Sequence, residues 1–164
     1  MPMLVSGLLA GFVLGLATGG NWRDLRNFDL KAWPVLLVGV IARAAAPLLG
    51  ALALGASIAG LILVAFVAAV NRGLPGAWLV ALGSLLNAAV TLVNGGMPVD
   101  PGAIAASGKT APADGLHVLL APETRISFLA DVLLVPLVNN IYSVGDVLIA
   151  IGGFWMSFRL LKHR

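Results

Sequence analysis

The chain has 164 residues, of which 60% are apolar and 10% are charged, with a mean hydropathy of +1.01. Soluble domains carry about 25% charged residues, so this composition excludes an ordinary soluble domain and indicates an integral membrane protein. The net charge of +3 does not indicate nucleic-acid binding, because the basic residues lie at predicted helix ends, where they mark the cytoplasmic side.

The N-terminal helix is predicted over residues 2–20. At about 20 residues per spanning helix, we predict an all-α membrane bundle of about five transmembrane helices, in a single domain over residues 1–164. We expect the first helix to stay as an anchor, since no cleavage site of small residues follows it. Gly7, Gly11 and Gly15 recur at every fourth residue and predict a close contact with another helix.

The second span is predicted over residues 33–52, with Arg43 near its middle. It follows the charged segment 21–31, which we expect on the cytoplasmic membrane surface as a positive anchor or as an anionic-lipid site. A charge at mid-span costs about 2.5–3.5 kcal/mol on insertion scales. We therefore expect Arg43 to be buried in protein and paired with an aspartate of the final segments, with ligand binding as the alternative.

The third and fourth spans are predicted over residues 57–70 and 77–94. A row of polar residues follows one face of the fourth span, at spacings of three and four residues: Ser84, Asn87, Thr91 and Asn94. Such a row either forms hydrogen bonds between helices or lines a polar cavity. Both interpretations stay open for Asn87 and Asn94.

An outer loop is predicted over residues 95–124, because glycines end the fourth span and prolines follow them. The next segment, residues 125–137, is apolar but only about 13 residues long, and it contains Asp131. That length is too short to span with ease, so we predict a short re-entrant or interfacial helix, with a distorted sixth span as the alternative.

The last span is predicted over residues 142–161, just after Asn140. Asp146 shares one face of this helix with Ala150, Gly153 and Ser157, at spacings of i, i+4, i+7 and i+11. A carboxylate facing lipid costs several kcal/mol or more. We therefore expect this face to meet another helix, a water-filled cavity or a partner charge.

The basic residues predict the orientation of the chain. Those on one predicted side outnumber those on the other, which places the N-terminus outside and the C-terminus in the cytoplasm. The first group is Arg23, Arg26, Lys31, Arg72, Arg159, Lys162 and Arg164, and the second is Lys109 and Arg125.

Four stretches together resemble a family of small bacterial polytopic membrane proteins of unknown function. They are NWRDLRN (21–27), LLNAAVTLVNGGMPV (85–99), TRISFLADVL (124–133) and YSVGDVLIAIG (142–152). The resemblance implies a multi-pass protein of the bacterial cytoplasmic (inner) membrane, and it implies no activity.

A weaker resemblance, around Asp131 and Asp146, is to lipoprotein signal peptidases. It implies an aspartate pair at the outer membrane surface, in which one acid and one base activate a water, with Asn87, Asn94 and Asn140 orienting the substrate. The chain departs from that family at Gly145, where the family has alanine, and its other characteristic segments are missing here.

Three functions follow as hypotheses. The first is a non-catalytic protein, either an accessory subunit or a scaffold that binds lipid or a small molecule, packed through Gly7, Gly11, Gly15 and Gly153 around a buried Arg/Asp site. The alternative is a membrane-embedded aspartyl hydrolase acting at the outer face, and the third is a small transporter or proton relay. We expect no cofactor and no metal, and we expect membrane lipids and other membrane subunits as partners.

Overall fold

The computed structural model of the chain describes residues 2–27 and 29–162, and it is mostly helical, as the sequence predicts. Phe28, in the charged surface segment, and Arg164, one of the basic residues counted above, lie outside the described residues. The helices are α1 (Pro2–Ala17), α2 (Trp33–Ala45), α3 (Ala53–Val70), α4 (Ala77–Asn94), α5 (Pro101–Ser107) and α6 (Val144–Leu160).

Within the described residues, two helices are long and apolar enough to cross a membrane, Gly50–Val70 and Ala77–Asn94. The other three predicted spans correspond to helices of 16, 13 and 17 residues, α1, α2 and α6. α2 is the shortest of these three helices because Pro47 has no N–H for the next helical hydrogen bond. The chain continues as a 3-10 turn over Ala46–Leu48. Its 13 residues rise about 20 Å, against a hydrocarbon core of about 30 Å.

The five longer helices pack side by side in the order α1, α6, α4, α3, α2. Glycines lie at the close contacts. A methyl group added at Gly7 of α1 would meet the carbonyl oxygen of Ala150 on α6, and one added at Gly152 of α6 would lie 2.7 Å from the carbonyl oxygen of Gly76. Between α2 and α3, a methyl group at Gly60 would lie 2.7 Å from the Gly39 carbonyl oxygen. These contacts bring the helix backbones together and leave α1 and α2 at the two ends of the series.

The prediction of an all-α chain is wrong at one end of the bundle, where four short strands form a cap. β1 (Met97–Val99) pairs in parallel with β2 (His117–Leu119), and β3 (Leu133–Val135) pairs antiparallel with β4 (Asn140–Tyr142). The predicted outer loop 95–124 therefore contains β1, α5 and β2. The Asp100 side chain caps α5 by accepting hydrogen bonds from the backbone N–H groups of Gly102 and Ala103.

The segment 125–137 does not form the predicted re-entrant or interfacial helix. It holds a 3-10 turn over Ser127–Leu129, then β3, then a second 3-10 turn that begins at Pro136. Ile126 has a left-handed backbone, with φ of 54°, and the residue before Pro136 is extended, as proline requires. These two points prevent a continuous helix, and β3 instead forms backbone hydrogen bonds with β4.

Candidate functional site

A small cavity lies where the bundle meets the strand cap, and we call it the inner cavity. Its volume is about 30 Å³. Since one water needs about 10–15 Å³, there is room for about two waters and none for a larger substrate. Every long helix contributes to its wall, and its polar lining consists of Arg43, Ser57, Asn87, Thr91, Asp131 and Asp146. The structure thus brings Arg43, Asn87 and both candidate aspartates together.

Asp146 is held in place by a capping box at the start of α6. The Ser143 side chain accepts a hydrogen bond from the Asp146 N–H (3.0 Å), and the Ser143 N–H donates to Asp146 Oδ2 (3.3 Å). Asn87 of α4 donates through Nδ2 to Asp146 Oδ1 (3.2 Å), while its Oδ1 accepts from the Ser143 hydroxyl (2.9 Å). Both carboxylate oxygens therefore have donors, and Asp146 joins α6 to α4.

Asp131 has the opposite environment. The residue is 7% exposed, and its Oδ1 is buried without a hydrogen-bond partner among the described residues. Its backbone is fixed, because its N–H donates to the carbonyl oxygen of Pro98 (2.8 Å) and its own carbonyl oxygen accepts from the Asp100 N–H (3.0 Å).

Burial raises the pKa of Asp131 from an ordinary value of 3.8 to about 8, and the charge of Asp146 adds to this rise. The charge of Arg43 acts in the opposite direction without cancelling it. Asp131 is therefore a neutral carboxylic acid near pH 7.

Arg43 faces the same cavity without the predicted ion pair. In residues 2–27 and 29–162, no carboxylate oxygen lies within 4.0 Å of its guanidinium. The Arg43 backbone passes close to α3, since a methyl group at Gly60 would lie 3.0 Å from both the N and the Cβ of Arg43. Its charge therefore acts on Asp131 across the cavity and not through direct contact.

The other predicted site residues lie at separate places. Asn94 holds the segment after the outer loop, since its Oδ1 accepts from the Arg125 N–H and its Nδ2 donates to the Arg125 carbonyl oxygen, both at 2.9 Å. Asn140 accepts from Lys109 Nζ at 3.1 Å. Gly7, Gly11, Gly15 and Gly153 all lie at the contact of α1 with α6. None of these six residues lines the inner cavity.

Two features of the site are absent from the sequence predictions. The first is the role of Ser143 as a helix cap, although a serine three residues before an acidic residue is a known cap signal. The second is a pair in the strand cap, His117 Nδ1 and Asp114 Oδ2, 2.7 Å apart. The spacing of three residues between Asp114 and His117 does not by itself predict that contact.

The arrangement joins a neutral carboxylic acid, a carboxylate and an arginine around space for water. Such a set can hold and pass a proton, and an acid beside a base can activate a water. Among the described residues, no group of three or more His, Cys, Asp or Glu side chains could hold a metal ion.

Comparison with known proteins identifies a family and no activity. No curated protein and no solved structure matches the chain. The profile of the Family of unknown function (DUF5317) matches residues 27–158, a range that holds every polar residue of the inner cavity. The match confirms the resemblance to a family of unknown function, and the chain belongs to that family.

Proposed function

We propose that this protein is a membrane-embedded, non-catalytic helical bundle that binds the hydrocarbon chain of a lipid between α1 and α2. One observation carries the proposal. A cavity of about 460 Å³ lies between these helices, and we call it the lipid groove. Its wall is almost entirely apolar and includes Leu4, Leu8, Phe12, Leu25, Leu30, Leu36, Val64 and Ala68.

The outer surfaces of the helices support the membrane location. Each of the five longer helices exposes large apolar side chains along its length. Soluble monomers usually expose only limited apolar patches, the largest covering about 300–600 Å². These residues include Leu9, Val13, Val38, Ile41, Phe66, Leu92, Ile151 and Trp155. We place the bundle in the bacterial inner membrane, with the N-terminus outside and the C-terminus in the cytoplasm.

The packing order of the helices supports lateral entry of a lipid. α1 and α2 are the first and last helices of the series, so the space between them faces the surroundings of the bundle. An apolar space that opens toward lipid fills with hydrocarbon, since a wall that is almost entirely apolar offers water almost no hydrogen-bond partner.

Positive charge at one end of the lipid groove favours an anionic headgroup. Asn71 lines that end, and its side chain bonds to the backbone of Lys31, through Oδ1 to the N–H (3.0 Å) and through Nδ2 to the carbonyl oxygen (2.9 Å). Lys31 and the neighbouring Arg72 are both exposed there. Basic side chains near a membrane surface attract anionic lipids with about 1 kcal/mol each.

The groove can be tested by filling it. Ala68 lines the groove on α3, and its neighbour Ala69 is exposed. We expect Ala68→Phe to lower the amount of phosphatidylglycerol that stays bound to the purified chain, as measured by native mass spectrometry, because the ring occupies the space of the lipid chain. Ala69→Phe is the matched control, and we expect it to bind as much lipid as the wild type.

Equal lipid binding by the wild type and Ala68→Phe would contradict the proposal, provided both proteins have the same helical content. If another membrane subunit occupies the groove, the purified chain will hold no lipid there, and Ala68→Phe will instead release that subunit. This second result would favour the role of an accessory subunit.

A second candidate function is an aspartyl hydrolase. It is favoured by one observation, namely that Asp131 and Asp146 line the same cavity as a neutral acid and a carboxylate. It ranks second because the inner cavity has room for about two waters and for no scissile bond. Cleavage of a lipopeptide by the purified chain, lost in both Asp131→Asn and Asp146→Asn, would favour this function over lipid binding.

A further inference from the structure

Asp131 lies between two separate cavities. On one side is the inner cavity, with Arg43 and Asp146. On the other side, within the strand cap, is a second cavity of about 270 Å³, which we call the rim pocket. Asp131 is the residue that lines both. The polar groups of the rim pocket are Lys109, Thr110, Asp114, His117, Asp131 and Asn140.

The rim pocket contains a group suited to exchanging protons with solvent. His117 and Asp114 form a contact of 2.7 Å, and their side chains are 24% and 32% exposed. Each of the two ring nitrogens of a histidine can bind a proton, and a carboxylate at Nδ1 orients the ring so that Nε2 can exchange a proton. Lys109 on the same pocket is held by Asn140.

The inner cavity contains a group suited to accepting a proton. The carboxylate of Asp146 faces this cavity, and there is room for water between the side chains that line it. Asp131 itself has a buried oxygen with no hydrogen-bond donor among the described residues. A buried carboxyl without donors is more stable with a proton than without one.

We propose that Asp131 is a proton-exchange site that connects the rim pocket with the inner cavity. In the forward direction, the O–H bond of neutral Asp131 breaks toward water in the inner cavity, and the Asp146 carboxylate accepts the proton. The Asp131 carboxylate that remains then takes up a proton from protonated His117 through water, which forms the O–H bond again and leaves His117 neutral. No electrons are transferred, and no other reactant is needed. The charge of Arg43 stabilises the Asp131 carboxylate that forms during the exchange.

The test follows the proton on Asp131 by infrared spectroscopy of the full chain in phosphatidylglycerol vesicles. At about pH 6, we expect the wild type to show the infrared absorption of a protonated carboxyl group. The frequency of this absorption should shift on transfer to heavy water, and the absorption should be absent in Asp131→Asn. Glu123→Gln is the control, since Glu123 is exposed and lines neither cavity. It should keep the absorption.

The route through the rim pocket is tested by the rate of that shift. His117 has a partly exposed side chain, so we expect His117→Gln to leave the bundle intact. We expect it to slow the exchange by about 100-fold, the lower range for a positioned proton donor. Asn140→Trp, which fills the rim pocket, should also slow it. An absorption that persists in Asp131→Asn, or an exchange rate unchanged in both His117→Gln and Asn140→Trp, would overturn the proposal.

Discussion

At the scale of single residues, Asp131 and Asp146 show how two identical side chains become different groups. Asp146 accepts hydrogen bonds at both oxygens, whereas Asp131 has a buried oxygen without a donor among the described residues. The sequence indicated that both acids lie at a polar site, because an acid in an apolar segment is costly in free energy where it contacts lipid. It did not indicate which one is neutral, since that depends on donors contributed by Asn87 and Ser143.

The neutral state of Asp131 predicts how stability changes with pH. Folding raises the pKa of Asp131 from 3.8 to about 8, so between these values the unfolded chain releases a proton that the folded chain keeps. Stability therefore falls as the pH rises through this range, by about 1.4 kcal/mol per pH unit at most, and Asp131 adds no further change above about pH 8.

Replacement of Asp131 by asparagine should remove this dependence. We expect the free energy of unfolding of Asp131→Asn, relative to the wild type, to increase between about pH 5 and pH 8 and to stay level above that. Denaturant unfolding in detergent at a series of pH values measures it. Glu123→Gln should show no such trend, and a pH-independent difference between Asp131→Asn and the wild type would show that Asp131 is ionised in the folded protein.

At the scale of elements, the helices were easier to predict than the strands. Long apolar runs bounded by Gly and Pro indicated helices, and α4 over Ala77–Asn94 has the same bounds as the fourth predicted span. The strands are three residues each, and an apolar strand of that length has no periodicity that distinguishes it from a helix. Segment 125–137 forms the strand β3 because β3 pairs with β4. The sequence of the segment alone does not indicate that pairing, since β4 lies outside it.

The contact of α6 with α4 depends on glycine at position 152. A methyl group there would lie 2.7 Å from the Gly76 carbonyl oxygen and 2.9 Å from the Val80 N, so the two backbones would have to move apart. We expect Gly152→Ala to lower the free energy of unfolding by about 1–3 kcal/mol, the usual cost of overpacking.

Gly55→Ala is the matched control for this change. Gly55 is exposed within α3, and a methyl group there meets no atom within 4 Å. Alanine is the better helix former by about 0.5–1 kcal/mol, so we expect this variant to be as stable as the wild type or more stable. Thermal unfolding in detergent compares the two variants, and an equal effect of both would show that α4 and α6 do not rely on this close approach.

At the scale of the whole molecule, the order of the helices could not be predicted from the sequence. The glycines of α1 indicated a close partner, and those of α6 did the same, but neither row identified the other. In the structure α1 packs along α6, the helix most distant in the chain, with Gly11 against Ser157. This arrangement separates α1 from α2 and creates the lipid groove, although the two helices are consecutive.

The two ends of the bundle differ in charge. Hydrogen bonds join the groups at one end, including Asn21 N–H to the Leu161 carbonyl oxygen and Lys162 Nζ to the Thr18 carbonyl oxygen. Among the described side chains, the basic ones at this end are Arg23, Lys31, Arg72, Arg159 and Lys162, and the strand cap at the other end holds Lys109 and Arg125. The excess of positive charge marks the first end as cytoplasmic in the proposed membrane orientation.

This orientation can be tested with single cysteines, because the chain has none of its own. Gly73 is exposed in the turn between α3 and α4, and Ala113 is exposed before β2 in the strand cap. In intact bacterial cells whose outer membrane has been made permeable, a maleimide that cannot cross the inner membrane should label Ala113→Cys and not Gly73→Cys. After disruption of the inner membrane it should label both.

The cysteine-free wild type is the control for background. Labelling of Gly73→Cys alone in intact cells would show the opposite orientation. Equal labelling of both sites in intact cells would contradict a bundle that crosses the membrane.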